Sequence, residues 1–155
     1  MQKYFIYEKY NKIFDEFKEF IKNNATYKTK VAKYNTNSKP PFPLITVTLS
    51  DNKDTDYCTI DKIEKYESLY LTIDIYTKDK NLDDGTIIAS DEINEELSML
   101  TMIFFGEKLN MKKTLNKPTP NLDTSILRKT IQYQCLIGNA RGNIIRRWKL
   151  WKKWN

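Results

Sequence analysis

Residues 68 to 79 read "SLYLTIDIYTKD", an alternation with a period of two. In an extended chain Leu69, Leu71, Ile73 and Ile75 point to one side, and Tyr70, Thr72, Asp74 and Tyr76 to the other. Such a strand buries its aliphatic row against another layer. Its second row stays polar and aromatic, here with a carboxylate in it. The order of elements does not give strand–helix–strand crossovers throughout, which argues against a doubly wound nucleotide-binding fold. The chain therefore folds around a sheet with one covered face, and packing alone does not account for the other.

The rest of the pattern supplies the cover. Ile6, Tyr10, Ile13, Phe14, Phe17 and Ile21 recur at three- and four-residue steps, which predicts an amphipathic helix from about Tyr4 to Lys22, stopped by Asn23 and Asn24. Thr26 to Tyr34 alternates as a strand, and the prolines of "NTNSKPPFP" exclude helix and central strand in the following stretch. "LITVTL" is again two-faced, with Ile45, Val47 and Leu49 opposing Leu44, Thr46 and Thr48. Sequential strands tend to be neighbours, so 44–50 and 68–77 are expected to pair antiparallel across a long hairpin connection.

"KDKNLDDG" breaks the pattern. Asp83 and Asp84 are expected to open a second helix, from about Thr86 to Phe105, with Ala89, Ile93, Leu97, Leu100 and Phe104 as its stripe. Asp91, Glu92, Glu95 and Glu96 suit the wet side of its first half, and Gly106 its end. "KLNMKKTL" reads as a strand with Leu109, Met111, Lys113 and Leu115 on one side. "TSILRKTIQYQCLI" sets Leu127, Ile131, Tyr133, Cys135 and Ile137 against Arg128, Thr130, Gln132 and Gln134, and "IIRRW" allows a short last strand. The sum is an α+β domain over residues 1–147: an antiparallel or mixed sheet of four to five strands with two helices packed on one face, followed by a basic tail, 148–155.

What the chain lacks narrows its chemistry. No histidine occurs among its 155 residues, which removes the commonest general base, the commonest zinc ligand and every histidine-based triad. It has only four glycines, and neither the dinucleotide nor the P-loop glycine motif is present. Cys58 and Cys135 lie far apart without metal spacing and read as free thiols of a reducing compartment. Asp51, Asp54 and Asp56 fail as a calcium loop: Asp56 stands where glycine is required and Lys62 where a bidentate glutamate is required. They read as a solvated acidic loop, with a partner contact or a weak cation site as the functional alternative. Asp74 has no companion group that would make it catalytic. No enzymatic activity, cofactor or metal is expected, and no apolar run reaches membrane-spanning length.

The formal charge is +6, and Arg141, Arg146, Arg147, Lys149, Lys152 and Lys153 all follow the last acid, Asp123. In "RRWKLWKKWN", Trp148, Trp151 and Trp154 recur at every third residue. Burying one indole is worth roughly 2–3 kcal/mol, so three left in water would be a liability. They fold back on the domain, dock on a neighbouring subunit or partner, rest on a membrane surface, or stack on single-stranded nucleic acid.

In order and spacing, four stretches resemble the tail terminator (tail completion) proteins of long-tailed bacteriophages and phage-like particles. They are the proline-led strand "PPFPLITVTLSDN" after an amphipathic helix, the strand "YLTIDIYTKD", the helix "ASDEINEELSMLTMIFF", and the turn and long strand "PTPNLDTSILRKTIQYQCLIGNARGNIIRR". Together they span most of residues 4–147; the tryptophan-rich tail lies outside the resemblance.

The resemblance implies a structural virion protein, an α+β subunit of a hexameric ring at the head-proximal end of the tail tube. That ring would stop tube polymerisation and offer a surface to the head. The implied partners are further copies of the chain, the tube protein, a head-completion or connector protein, and a sheath protein where the tail contracts. Double-stranded DNA would pass through the lumen without sequence-specific binding, and no membrane is involved. The implied location is the neck of the virion, after synthesis in the host cytoplasm. Ring contacts favour Tyr, Trp and Arg, and the chain has ten tyrosines and three tryptophans. The candidate interface residues are Tyr70, Asp74, Tyr76, Arg128, Arg146, Arg147, Trp148, Trp151, Lys152, Lys153 and Trp154, with Asp51, Asp54 and Asp56 as an acidic contact. Other readings are a different neck or head-completion adaptor, a tube protein, or a basic DNA-binding accessory protein.

Overall fold

The computed structural model describes residues 2–34, 39–54, 59–60, 63–64, 66–138 and 144–145. Helix α1, Gln2–Asn24, opens the fold. Tyr10, Ile13, Phe14, Phe17 and Ile21 form its buried stripe, as their spacing predicts. Asn24 finishes it by donating its side-chain amide to the Phe20 carbonyl at 2.7 Å.

Strand β1 is Lys30–Ala32, β2 is Leu44–Asp54, and β5 is Tyr66–Thr77; the short pair β3 (Thr59–Ile60) and β4 (Ile63–Glu64) lies between the last two. After the small hairpin of β6 (Lys80–Asn81) and β7 (Ile87–Ile88) comes helix α2, Ser90–Met102. β8 (Lys112–Pro118), β9 (Leu127–Gly138) and β10 (Ile144–Ile145) complete the chain. The main sheet has six strands in the order β1-β2-β5-β9, with β8 and β10 both on the far side of β9. β1 runs parallel to β2 and every other pair is antiparallel, so the architecture is α+β with a mixed sheet. The sixth strand is the two-residue β10.

Both helices cover the same face. Ile45, Val47, Leu69, Leu71, Ile73, Ile75, Ile131, Tyr133 and Cys135 join the α1 stripe and Ile93, Leu97, Phe104 and Phe105 in one core. Each of these aliphatic side chains stabilises the fold by roughly 1.5–3 kcal/mol. Phe17 meets Phe104 at 5.2 Å and Phe105 at 4.9 Å between ring centres, and Phe105 stacks on Tyr133 at 5.4 Å. α1 is pinned to β2 by the Tyr10 hydroxyl, which donates to the Val47 carbonyl at 2.5 Å. α2 is pinned to β5 by Asn94, whose amide donates to the Ile75 carbonyl and the Thr77 hydroxyl, both at 3.3 Å.

Several local expectations are corrected. Asp83 and Asp84 do not open α2; they turn the β6–β7 hairpin, where Asp84 Oδ1 accepts from the Thr86 amide at 2.9 Å and Gly85 takes φ +86°. The helix starts at Ser90, whose amide donates to Asp79 at 2.8 Å. Ala89 is exposed rather than part of the stripe. Gly106 does not close the helix. The chain widens into a π-helical turn, Ile103–Lys108, with Leu109 N–H bonded to the Phe104 carbonyl at 3.0 Å, and the left-handed residue is Asn110 at φ 53°. That wide turn lets two successive phenylalanines, Phe104 and Phe105, both reach the core.

The strand expected at 26–34 is confined to Lys30–Ala32. The one expected at 108–115 is Lys112–Pro118. Its register shifts between Lys113 and Leu115, which sets Lys113 opposite Tyr133 but Leu115 opposite Gln132, on the face without helices.

Candidate functional site

The helix-free face carries the polar row of "SLYLTIDIYTKD", and register assembles its neighbours. Leu44, Tyr76 and Arg128 form one row across β2, β5 and β9; Thr46, Asp74 and Thr130 the next; Thr48, Thr72 and Gln132 the third. Tyr70 and Gln134 pair one step further along.

These side chains bond to one another. Asp74 Oδ1 accepts from Arg128 Nε at 3.1 Å and from the Thr130 hydroxyl at 2.5 Å. Thr130 and Thr119 share a hydroxyl contact at 2.6 Å. Gln132 donates to Thr72 at 3.3 Å, and Gln134 to the Tyr70 hydroxyl at 2.8 Å. The Arg128 guanidinium lies 5.3 Å from the centre of the Tyr76 ring. Among the described residues no helix lies over this row, yet Thr46, Asp74 and Thr130 are only 5%, 7% and 7% exposed.

Charge is balanced within the cluster. The hydrogen bond that Arg128 donates to Asp74, with the carboxylate's negative charge, holds the Arg128 pKa above its ordinary value. Burial raises the Tyr76 phenol, and the Asp74 carboxylate raises it further, against the smaller opposing effects of Arg128 and a hydrogen bond with Thr46. The face thus presents a neutralised ion pair and a ladder of hydroxyls and amides. Among the described residues it shows no nucleophile beside a free base. Among the described residues, no group of three or more acidic or cysteine side chains could hold a metal, and no helix is long and apolar enough to cross a membrane.

Four predicted site residues therefore come together: Tyr70, Asp74, Tyr76 and Arg128 share this face. Asp51 and Asp54 do not lie in a loop as expected: β2 continues through them, with a register shift between Leu49 and Asp51 that pairs Asp51 with Tyr70 and Asp54 with Glu67. Asp56, Cys58, Arg146, Arg147, Trp148, Trp151, Lys152, Lys153 and Trp154 lie outside the described residues. Cys135 is a buried free thiol. Thr119 is a site residue that the sequence reading missed; it belongs to a turn with no alternation to reveal its direction. Comparison with protein-family models and with curated proteins finds no match to this chain.

Proposed function

We propose that the protein is a ring-forming tail terminator, a structural subunit that caps the head-proximal end of a phage tail tube and joins it to the head. The observation that carries this reading is the helix-free face. Among the described residues it is polar and largely closed by its own side chains, with no apolar patch that requires a further layer. A wall past which double-stranded DNA slides needs that character. Arg128 is engaged by Asp74 and so grips phosphate weakly, while exposed Lys112 and Lys117 on β8 keep the border of the face positive. The order of the four stretches named above supplies the assignment to the tail.

The direct test adds purified protein to tube protein undergoing polymerisation. Arrest of growth, with this chain bound at one end of each tube, is the expected result. Tubes that lengthen unchanged would contradict it. Tight DNA binding with a steep salt dependence would favour the DNA-binding accessory reading instead.

A further inference from the structure

The connection between β8 and β9 is a well-braced turn. Asp123 Oδ1 accepts from the Ser125 amide at 2.9 Å and its hydroxyl at 2.6 Å, the Asp123 carbonyl accepts from the Ile126 amide at 3.1 Å, and Lys78 meets the Asp123 carboxylate at 3.6 Å. This frame holds Leu122 fully in water, at 104% relative exposure. Turn geometry favours small polar residues at such a position and gives no reason for a leucine.

A matching concavity lies on the opposite edge. A groove of about 690 Å³ runs between α1 and β1, with buried Ile21 and Val31 at its base and Ala25 and Tyr27 beside them. Lys18, Lys22, Lys28 and Lys30 rim it, with Asp15 and Glu19 as the acids present; Glu19 lies 4.0 Å from Lys22. Among the described residues β1 pairs only with β2 and is an edge strand of the sheet.

The two features stand at the same height. The row Lys30–Leu44–Tyr76–Arg128 crosses the sheet from the groove to the turn, which begins where the Thr119 amide donates to the Arg128 carbonyl at 2.9 Å. A contact between these unlike edges is heterologous, and it closes into a ring when the rotation per subunit is right. Charge on this edge is divided: Asp91 and Glu95 line the hollow next to Pro118 and Leu127, with Glu92 exposed on the same turn of α2, while Lys112, Lys113, Lys117 and Lys129 are the lysines of β8 and β9.

We infer that the Leu122 turn of one subunit seats in the α1–β1 groove of a second copy of this chain, with the acidic flank of α2 meeting the lysine rim. The inference rests on the ring reading only for the number of copies.

Sedimentation velocity on the full chain tests it. Wild-type protein self-associates as its concentration rises to about 1 mM. Leu122→Asp and the triple variant Lys22→Glu, Lys28→Glu, Lys30→Glu each weaken association by at least about tenfold. Leu122→Ser does the same without adding charge, and thermal melts confirm that each variant folds. An equimolar mixture of the Leu122 and triple variants retains one intact contact, so it forms dimers and nothing larger. Wild-type protein that stays monomeric at about 1 mM overturns the contact. So does a Leu122 variant that assembles normally, or a mixture that yields no dimers. If wild-type protein still arrests tube growth in those cases, only this contact falls; if it does not, the ring reading falls with it.

Discussion

Asp74 lies on the uncovered side of the sheet yet is nearly buried, because Arg128 and Thr130 close over it. Removing either partner has unequal consequences. Arg128→Ala leaves a carboxylate with one hydroxyl donor in a mostly dry site, and about 1–3 kcal/mol of stability should be lost. Asp74→Asn keeps an oxygen for Thr130 and should cost about 1 kcal/mol. Urea unfolding at neutral pH measures both; an unchanged midpoint for Arg128→Ala would show that the pair contributes nothing. Burial sets a second residue-scale property. It pushes the Cys135 thiol from 9.0 to about 12, and the Tyr10 and Tyr133 phenols from 10.0 to about 12. The folded state favours each neutral form, so that stability is complete below the unfolded value and is lost as pH rises from there toward the folded one. The thiol therefore acts from about pH 9 and the phenols from about pH 10. Each proton lost only by the unfolded chain tilts stability by roughly 1.4 kcal/mol per pH unit. Cys135→Val should flatten the decline between pH 9 and 10, and a decline identical to wild type would contradict the burial of this thiol.

At the scale of elements, the clearest prediction concerns the start of α2. Asp79 accepts the Ser90 amide from across the β6–β7 hairpin. Asp79→Ala should cost about 1 kcal/mol, the usual worth of a helix cap, whereas Asp83→Ala should cost little. Equal losses in thermal or urea unfolding would return the capping role to Asp83. This element also shows where sequence stops being informative. The alternation in β2, β5 and β9 and the stripes of α1 and α2 were legible because each residue's burial follows from its own position in a repeating pattern. The cap was not legible, because Asp79 acts on a residue eleven positions later. Two register shifts were equally hidden. A bulge adds one residue without altering composition, and it moved Asp51 and Leu115 onto rows that strict alternation denies them. The π-helical turn after Met102 hides in the same way: Gly106 looks like a helix stop, but the left-handed position fell to Asn110. The candidate site was legible for Tyr70, Asp74, Tyr76 and Arg128, which alternation alone places on one side. Its threonine partner from the turn, Thr119, was not.

For the molecule as a whole, helices α1 and α2 cover one side of the sheet, and among the described residues the other side is polar, which gives the protein a front and a back. Its edges also differ: a lysine-rimmed groove along β1, and a braced, leucine-tipped turn beyond β8. A subunit with unlike edges is suited to head-to-tail contact around an axis. Truncation after Arg147 should leave folding intact and weaken assembly, as read by circular dichroism and by tube-end binding; loss of folding would place the tryptophans in the domain's own core. We propose that this chain limits tail length and joins tail to head through its surfaces. Electron microscopy of particles produced without it tests that most directly. The account predicts overlong tails detached from heads, and tails of normal length attached to heads would contradict it.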